Sequence, residues 1–201
     1  MVQIEKGNHS RKISELKIVL TLIILKLRGP IGRYRLKEML SLSEREGIVR
    51  LMLSDLKQEG FLRTGKIGCA LTPKGEGYLK KILEKYGVID IREMNLEPLR
   101  IGPENFVIQI RGHHINQSIT ELRDVAVRAG ASGIVLIVYE KGILQIPPIY
   151  SDLEREYPKL ATDFHETLIL HDGDTIIACF SRDKWQALEG GLSVAIVLAK
   201  P

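Results

Sequence analysis

The sequence predicts a mixed α/β protein in two domains, of overall α+β character: a helical N-terminal domain followed by a small domain in which strands and helices alternate. Three observations lead there. Up to residue 87 the apolar residues recur at helical spacing between the breaks Gly29-Pro30, Gly60 and Gly87, whereas from Phe106 onward short apolar runs alternate with helical patterns. The length, 201 residues with 44% hydrophobic and 27% charged side chains, is that of a folded chain with room for one large domain or two small ones. The charge is also segregated: residues 1–90 carry 18 Lys and Arg against 10 Asp and Glu, a net +8, and residues 91–201 carry 11 against 15, a net −4. Solubility does not require the signs to separate. A polyanionic partner for the first part explains it better than a lysine-rich surface with no partner, and nucleic acid is the leading candidate.

The same counts exclude other classes. Two cysteines, Cys69 and Cys179, make neither a disulfide framework nor a four-thiolate zinc site, and with no signal peptide in view the expected compartment is cytoplasmic. The greasiest stretch, Ile13 to Leu27, is interrupted by Lys17 and Lys26 and falls short of the ~20 apolar residues a membrane span needs, so no membrane partner is expected. Four Asn and six Gln beside 54 charged residues lean toward a thermophile.

Element by element, Ser14 to Leu27 reads as a helix apolar on most faces, stopped by Gly29-Pro30. Such a helix must be covered on more than one side, which predicts either a second copy of the chain, hence a homodimer, or cover from the second domain. Arg33 to Leu40 is a short second helix with Leu36, Met39 and Leu40 inward. Ser43 and Glu46 have the spacing of a capping box, predicting a third helix from there to Glu59. At 100° per residue its inward set is Ile48, Val49, Leu51, Met52, Leu53 and Leu56, and its outer set Glu46, Gly47, Arg50, Ser54 and Lys57. Phe61 to Thr64 and Cys69 to Leu71 form a hairpin around the basic tip Gly65-Lys66-Ile67-Gly68, and Thr72-Pro73 opens a fourth helix, Lys74 to Tyr86.

The order of these elements and the punctuation Leu56, Gly60, Phe61, Leu71, Thr72 and Gly75 resemble the winged helix-turn-helix domains of prokaryotic transcriptional regulators, over residues 12–87. The whole chain is similar to archaeal proteins that pair such a domain with an uncharacterised C-terminal α/β domain. The resemblance implies a DNA-binding transcriptional regulator with double-stranded DNA as partner. Its third helix would enter the major groove and its wing would lie on the backbone. It implies contacts from Arg33, Tyr34 and Arg35 at the second helix, from Ser43, Arg45, Glu46, Gly47, Arg50, Ser54 and Lys57 on the third, and from Arg63, Lys66 and Lys74 at and behind the wing. Arg50 is the candidate for a base edge.

Residues 91–103, with Pro98, Gly102 and Pro103, read as a linker between a domain at 1–90 and another at 104–201. In the latter, Phe106 to Ile110 is a strand, Ser118 to Ala129 a helix, Gly133 to Tyr139 a buried strand, Ile143 to Ile146 a strand, Tyr150 to Phe164 a helix, Thr175 to Phe180 a strand and Arg182 to Leu198 a helix broken by Gly190-Gly191. This domain is expected to bind a small-molecule effector or to assemble the oligomer. Arg111, His113, His114, Arg182 and Trp185 follow strands, where α/β ligand sites form, and are its candidate ligand residues. His113 and His114, with His165, His171, Asp172 and Asp174 around a later strand entrance, raise the question of a metal, but the adjacent His113 and His114 point to opposite faces and His171 to Asp174 reads as a turn, so no metal is expected. With no phosphate-binding loop or nucleophile elbow, no cofactor and no catalytic residue are expected. The rival reading is an enzyme with a small-molecule site in the second domain and the N-terminal domain as an interaction module.

Overall fold

The computed structural model describes residues 14–99, 101–112, 115 and 117–199. Among these the protein is mixed α/β, with eight helices and two antiparallel sheets. The chain divides into two compact units, Met1–Gly75 and Glu76–Pro201.

In the first unit, α1 (Glu15–Arg28) starts where the Ser14 hydroxyl accepts the Lys17 amide at 3.3 Å and ends where the Gly29 amide donates to Leu25. Every residue from Val19 to Leu25 is buried within the single chain, and the Thr21 hydroxyl there donates to the Lys17 carbonyl at 2.7 Å. The described residues of the single chain therefore cover that segment, and a second copy of the chain is not needed to do so. α2 (Arg33–Met39) follows, with Leu36 buried.

α3 (Glu46–Gln58) departs from expectation at both its start and its outer face. Its N-cap is Arg45, without a side-chain cap bond, and not Ser43. The Arg45 amide donates to Leu42, closing a turn that uses up Ser43 and Glu44, while the Glu46 carboxylate is drawn to Arg33 and Arg50. Val49, Met52, Leu53 and Leu56 are buried as expected, but Leu51 is 43% exposed. On the helix wheel Leu51 lies about 40° from Gly47 and about 100° from Met52, so it belongs to the outer edge.

β1 (Leu62–Gly65) and β2 (Gly68–Leu71) form the hairpin with Lys66-Ile67 as its tip. Ile31 bridges to Cys69 by two backbone hydrogen bonds of 2.9 and 2.8 Å, which adds a third stretch of chain to the hairpin. Gly68, at φ +129°, is required there: a Cβ would strike the Ile31 backbone. Thr72 donates to the Gly60 carbonyl at 2.7 Å and accepts the Gly75 amide at 3.1 Å, capping α4 (Pro73–Lys85), in whose first turn the boundary between the units falls.

The second unit is built on a five-stranded sheet of order β3-β4-β7-β5-β6, antiparallel throughout, from β3 (Val88–Arg92), β4 (Glu104–Ile110), β5 (Gly133–Glu140), β6 (Ile143–Gln145) and β7 (Asp174–Ser181). Residues 91 and 92, expected in a linker, are ladder residues of β3, so the expected boundary at residue 90 falls inside a strand. Leu96 is also buried, in the sheet's core cluster.

On one face lie α5 (Ile119–Arg128), capped by the Ser118–Glu121 capping box, and α8 (Lys184–Leu198). On the other, α6 (Leu153–Glu156) and α7 (Pro158–Thr167) cover Val107, Ile137, Ile176, Ala178 and Phe180. All eight residues of β7 are buried, as a central strand covered on both faces must be. The single helix expected over Tyr150 to Phe164 is divided at Tyr157-Pro158, where Pro158 takes the first helical position of α7. The expected break at Gly190-Gly191 is absent. α8 runs through both glycines because they are where it touches the sheet: a Cβ on Gly190 would lie 2.7 Å from Ala131 Cβ, and one on Gly191 2.7 Å from Ile108 Cδ1.

Candidate functional site

In the first unit, the residues expected at nucleic acid are mostly solvent-facing. Tyr34, Arg35, Ser43, Arg45, Gly47, Arg50, Ser54, Lys57, Arg63, Lys66 and Lys74 are exposed, and Arg33 and Glu46 are half-buried. The buried stripe of α3 orients it, leaving Gly47, Arg50, Ser54 and Lys57 outward. Glu46 Oε1 sits between Arg33 Nη2 at 3.3 Å and Arg50 Nη2 at 3.4 Å, so one carboxylate is shared by two guanidinium groups. Tyr34, 64% exposed, has Arg33 5.2 Å and Lys37 5.6 Å from its ring centroid. Lys74 differs from the rest: its ammonium donates to the Glu59 carbonyl at 2.7 Å and lies over the Phe61 ring, so it ties the start of α4 to the end of α3.

The expected ligand residues of the second unit do not come together. β4 and β7 are antiparallel, with Ile110 opposite Thr175 and Glu104 opposite Ser181, so the residues following the two strands sit at opposite ends of the sheet, about 20 Å apart. Arg111 is at one end and Arg182 and Trp185 at the other. Trp185 is buried with its ring centroid 6.0 Å from that of Phe106, which makes it a core residue. His113 and His114 lie outside the described residues.

Arg111 instead joins a polar cluster at its own end of the sheet. Asp174 is fully buried; its Oδ2 accepts from Gln109 Nε2 at 2.7 Å and the His171 amide at 2.9 Å, and Arg111 Nε lies 3.6 Å from Oδ1. Gln109 Nε2 also donates to the Ile169 carbonyl at 2.9 Å. Arg111 Nη2 is 2.7 Å from His171 Nδ1, and since a guanidinium only donates, Nδ1 is the acceptor. His165 belongs elsewhere, with Nε2 3.0 Å from Glu154 Oε1.

Next to this end of the sheet, on the face carrying α5 and α8, lies an open cleft of about 770 Å³. Leu136 and Val138 of β5 form its floor. Ile115, Gln117, Ser118 and Ile119 line one side, and Glu140, Gln145, Pro147, Asp172, Gly173 and Thr175 the rest. The sequence singles out none of these as a small-molecule ligand residue, and Asp172 only in the question of a metal. Both thiols are passive: burial pushes the Cys179 pKa up to about 12, against the lowering effect of hydrogen bonds with the Phe180 and Gly191 backbone. Burial also raises that of Cys69, against the pull of Lys57 and Arg33.

Residues 101–198 match a family described as a domain of unknown function, DUF4443. Among solved structures the chain is similar to the hypothetical protein PH0730 from Pyrococcus horikoshii OT3, with 26% identity, coverage of 92% of this chain and 93% of that chain, and a TM-score of 0.71. No curated protein matches it. The likeness to an archaeal protein runs through both units, and the family match spans β4 to α8 of the sheet domain.

Proposed function

We propose that the protein is a DNA-binding transcriptional regulator whose first unit is a winged helix: α3 lies in the major groove and the β1–β2 hairpin follows the adjacent backbone. The observation that carries this reading is the division of α3. Val49, Met52, Leu53 and Leu56 are buried while Arg50, Ser54 and Lys57 face solvent, and the hairpin that follows exposes Arg63 and Lys66. A helix fits the major groove, and cations on a hairpin tip reach phosphates. The net +8 of residues 1–90 supplies the long-range attraction. Leu51 on the outer edge adds an apolar contact suited to a thymine methyl group. In this reading the second unit senses a small molecule or assembles copies of the chain.

Binding of the full chain to a duplex at several salt concentrations tests this. Each phosphate neutralised releases counterion, so log K is expected to fall with log salt at a slope of ~0.9 per contact. Arg50→Ala should lower affinity by ~1–3 kcal/mol and relax sequence preference, whereas Lys66→Ala should weaken all sequences alike and reduce the slope by about one. Absence of duplex binding at low salt removes the reading.

A further inference from the structure

At the first turn of α3 an acidic side chain stands within the basic surface. Glu46 is the first helical residue, and beside it a Cβ at Gly47 would meet nothing within 4 Å among the described residues. The Glu46 carboxylate is held from two sides: Oε1 is 3.3 Å from Nη2 of Arg33 on α2 and 3.4 Å from Nη2 of Arg50, one turn along its own helix. The two arginines differ in freedom. The Arg33 side chain is 34% exposed and its guanidinium lies 5.2 Å from the Tyr34 ring centroid, whereas the Arg50 side chain is 67% exposed. Arg50 can therefore swing to a base while Arg33 stays as the counterion of Glu46. A carboxylate has about four lone-pair sites, so two contacts on one oxygen leave capacity to accept from a further donor. A negative charge at a helix N-terminus and an exposed i,i+4 pair each contribute little to stability, and both act equally whatever DNA sequence is bound.

We propose that Glu46 is the specificity-determining residue of α3: it accepts a hydrogen bond from the N4 amino group of cytosine and aims Arg50 at O6 and N7 of a nearby guanine. This rests on the reading of α3 as the helix in the major groove, where the N-terminal residues of such a helix meet base edges. Cytosine presents a donor in that groove and guanine two acceptors, so a carboxylate beside a guanidinium matches G·C pairs. Adenine sets the acceptor N7 next to its amino group, and that acceptor repels a carboxylate. Residues one turn apart are separated by about 6 Å along the helix axis, under two base-pair steps of ~3.4 Å, so both side chains fall on one short site. The same negative charge repels phosphates and the acceptor edges of other sequences. Glu46 thereby lowers affinity for non-matching DNA, which is selectivity by repulsion as well as by contact.

Selection of bound sequences from a randomised duplex pool, with the full chain and its Glu46→Ala and Glu46→Gln variants, tests this. Each protein is then titrated with the parent's preferred duplex and with a random duplex. The parent is expected to enrich G·C pairs within a span of about two steps. Glu46→Ala should bind the random duplex about two- to threefold more tightly, because a charge that faces phosphates is gone, and should lose about tenfold in discrimination at the cytosine position. Glu46→Gln, of nearly the same shape, should exchange cytosine for adenine there, since a carboxamide pairs with adenine N6 and N7. A glutamate that only steadies the start of α3 would instead lower the melting temperature on replacement and weaken every duplex alike. The inference is overturned, with the DNA-binding reading left standing, if the parent binds duplex and either variant keeps its preference or loses affinity for all duplexes in equal proportion. A parent that binds no duplex at low salt removes both.

Discussion

Replacing Gly190 by alanine sets two effects of opposite sign against each other. In an ordinary helix interior Gly→Ala stabilises by roughly 1 kcal/mol, because glycine loses the most backbone freedom on folding. At Gly190 the new Cβ would lie 2.7 Å from Ala131 Cβ, 3.0 Å from Cys179 Sγ and 3.3 Å from the Ala126 carbonyl oxygen. Carbon atoms pack best at ~3.5–4.0 Å, so the first contact is short by about 1 Å. Neither Ala131 Cβ nor a backbone carbonyl has a rotamer to move to, so α8 must lift from β7 or α5 must shift. Overpacking of this kind costs about 1–3 kcal/mol, and after the propensity gain the variant should fall about 0–2 kcal/mol below the parent. Gly77→Ala in α4 is the control. Nothing lies within 4 Å of its added Cβ, it belongs to the same compact unit, and it should gain about 0.5–1 kcal/mol. Urea denaturation of both variants beside the parent measures the difference. A Gly190→Ala protein that gains as much stability as Gly77→Ala would refute the close-packing explanation for the uninterrupted helix.

Leu20→Ala in α1, at a fully buried side chain, should lower stability by about 2–4 kcal/mol to the same extent at every protein concentration; a loss that varies with concentration would put α1 at a subunit interface. Arg111→Ala leaves the buried Asp174 without its cation and should destabilise by about 1–3 kcal/mol, and adding Asp174→Asn should recover part of that loss; strict additivity would show that the ion pair is not the cause. The Cys179 pKa rises from 9.0 to about 12 on folding. Its contribution to stability is therefore full below pH 9 and is lost as pH climbs toward 12, since the unfolded chain releases a proton that the folded one retains. Cys179→Ala should flatten the alkaline decline in melting temperature, and an unchanged decline assigns it to other groups.

The elements legible in the sequence are those whose causes are local. Thr72-Pro73 opens α4 because a hydroxyl, a missing amide hydrogen and a preset φ all act within one turn, and Ser118 with Glu121 forms a capping box for the same reason. Ser43 with Glu46 has identical spacing and forms none. There the Glu46 carboxylate has competing partners, Arg33 from α2 and Arg50 one turn on, and local spacing cannot weigh a partner contributed by another element. Gly190-Gly191 is a similar case. Low helix propensity predicts a break, but the contact with Ala131, Cys179 and Ile108 that requires glycine involves three segments far away in sequence.

The expected ligand site failed on a property that no single strand carries. Whether two strands run parallel or antiparallel decides whether the residues following them share an end of the sheet, and residues 106–110 and 175–180 are apolar enough for either arrangement. The rule that ligands gather at strand C-termini belongs to parallel sheets, and every pairing in this one is antiparallel. One signal was present: Gln109 interrupts an otherwise apolar Phe106-Val107-Ile108-Gln109-Ile110 run, and a polar side chain committed to a buried strand requires a polar partner. Its partner is Asp174 at the start of β7, directly before Thr175. Because side chains alternate along a strand, Asp174 faces the α7 side and Thr175 the cleft, so the buried network and the cleft are the two faces of one strand end. The network fixes Asp174 and the turn preceding it, and that turn carries Asp172 into the cleft lining. Arg111 and His171 thus contribute to the site by holding the strand end in place and are themselves absent from its lining.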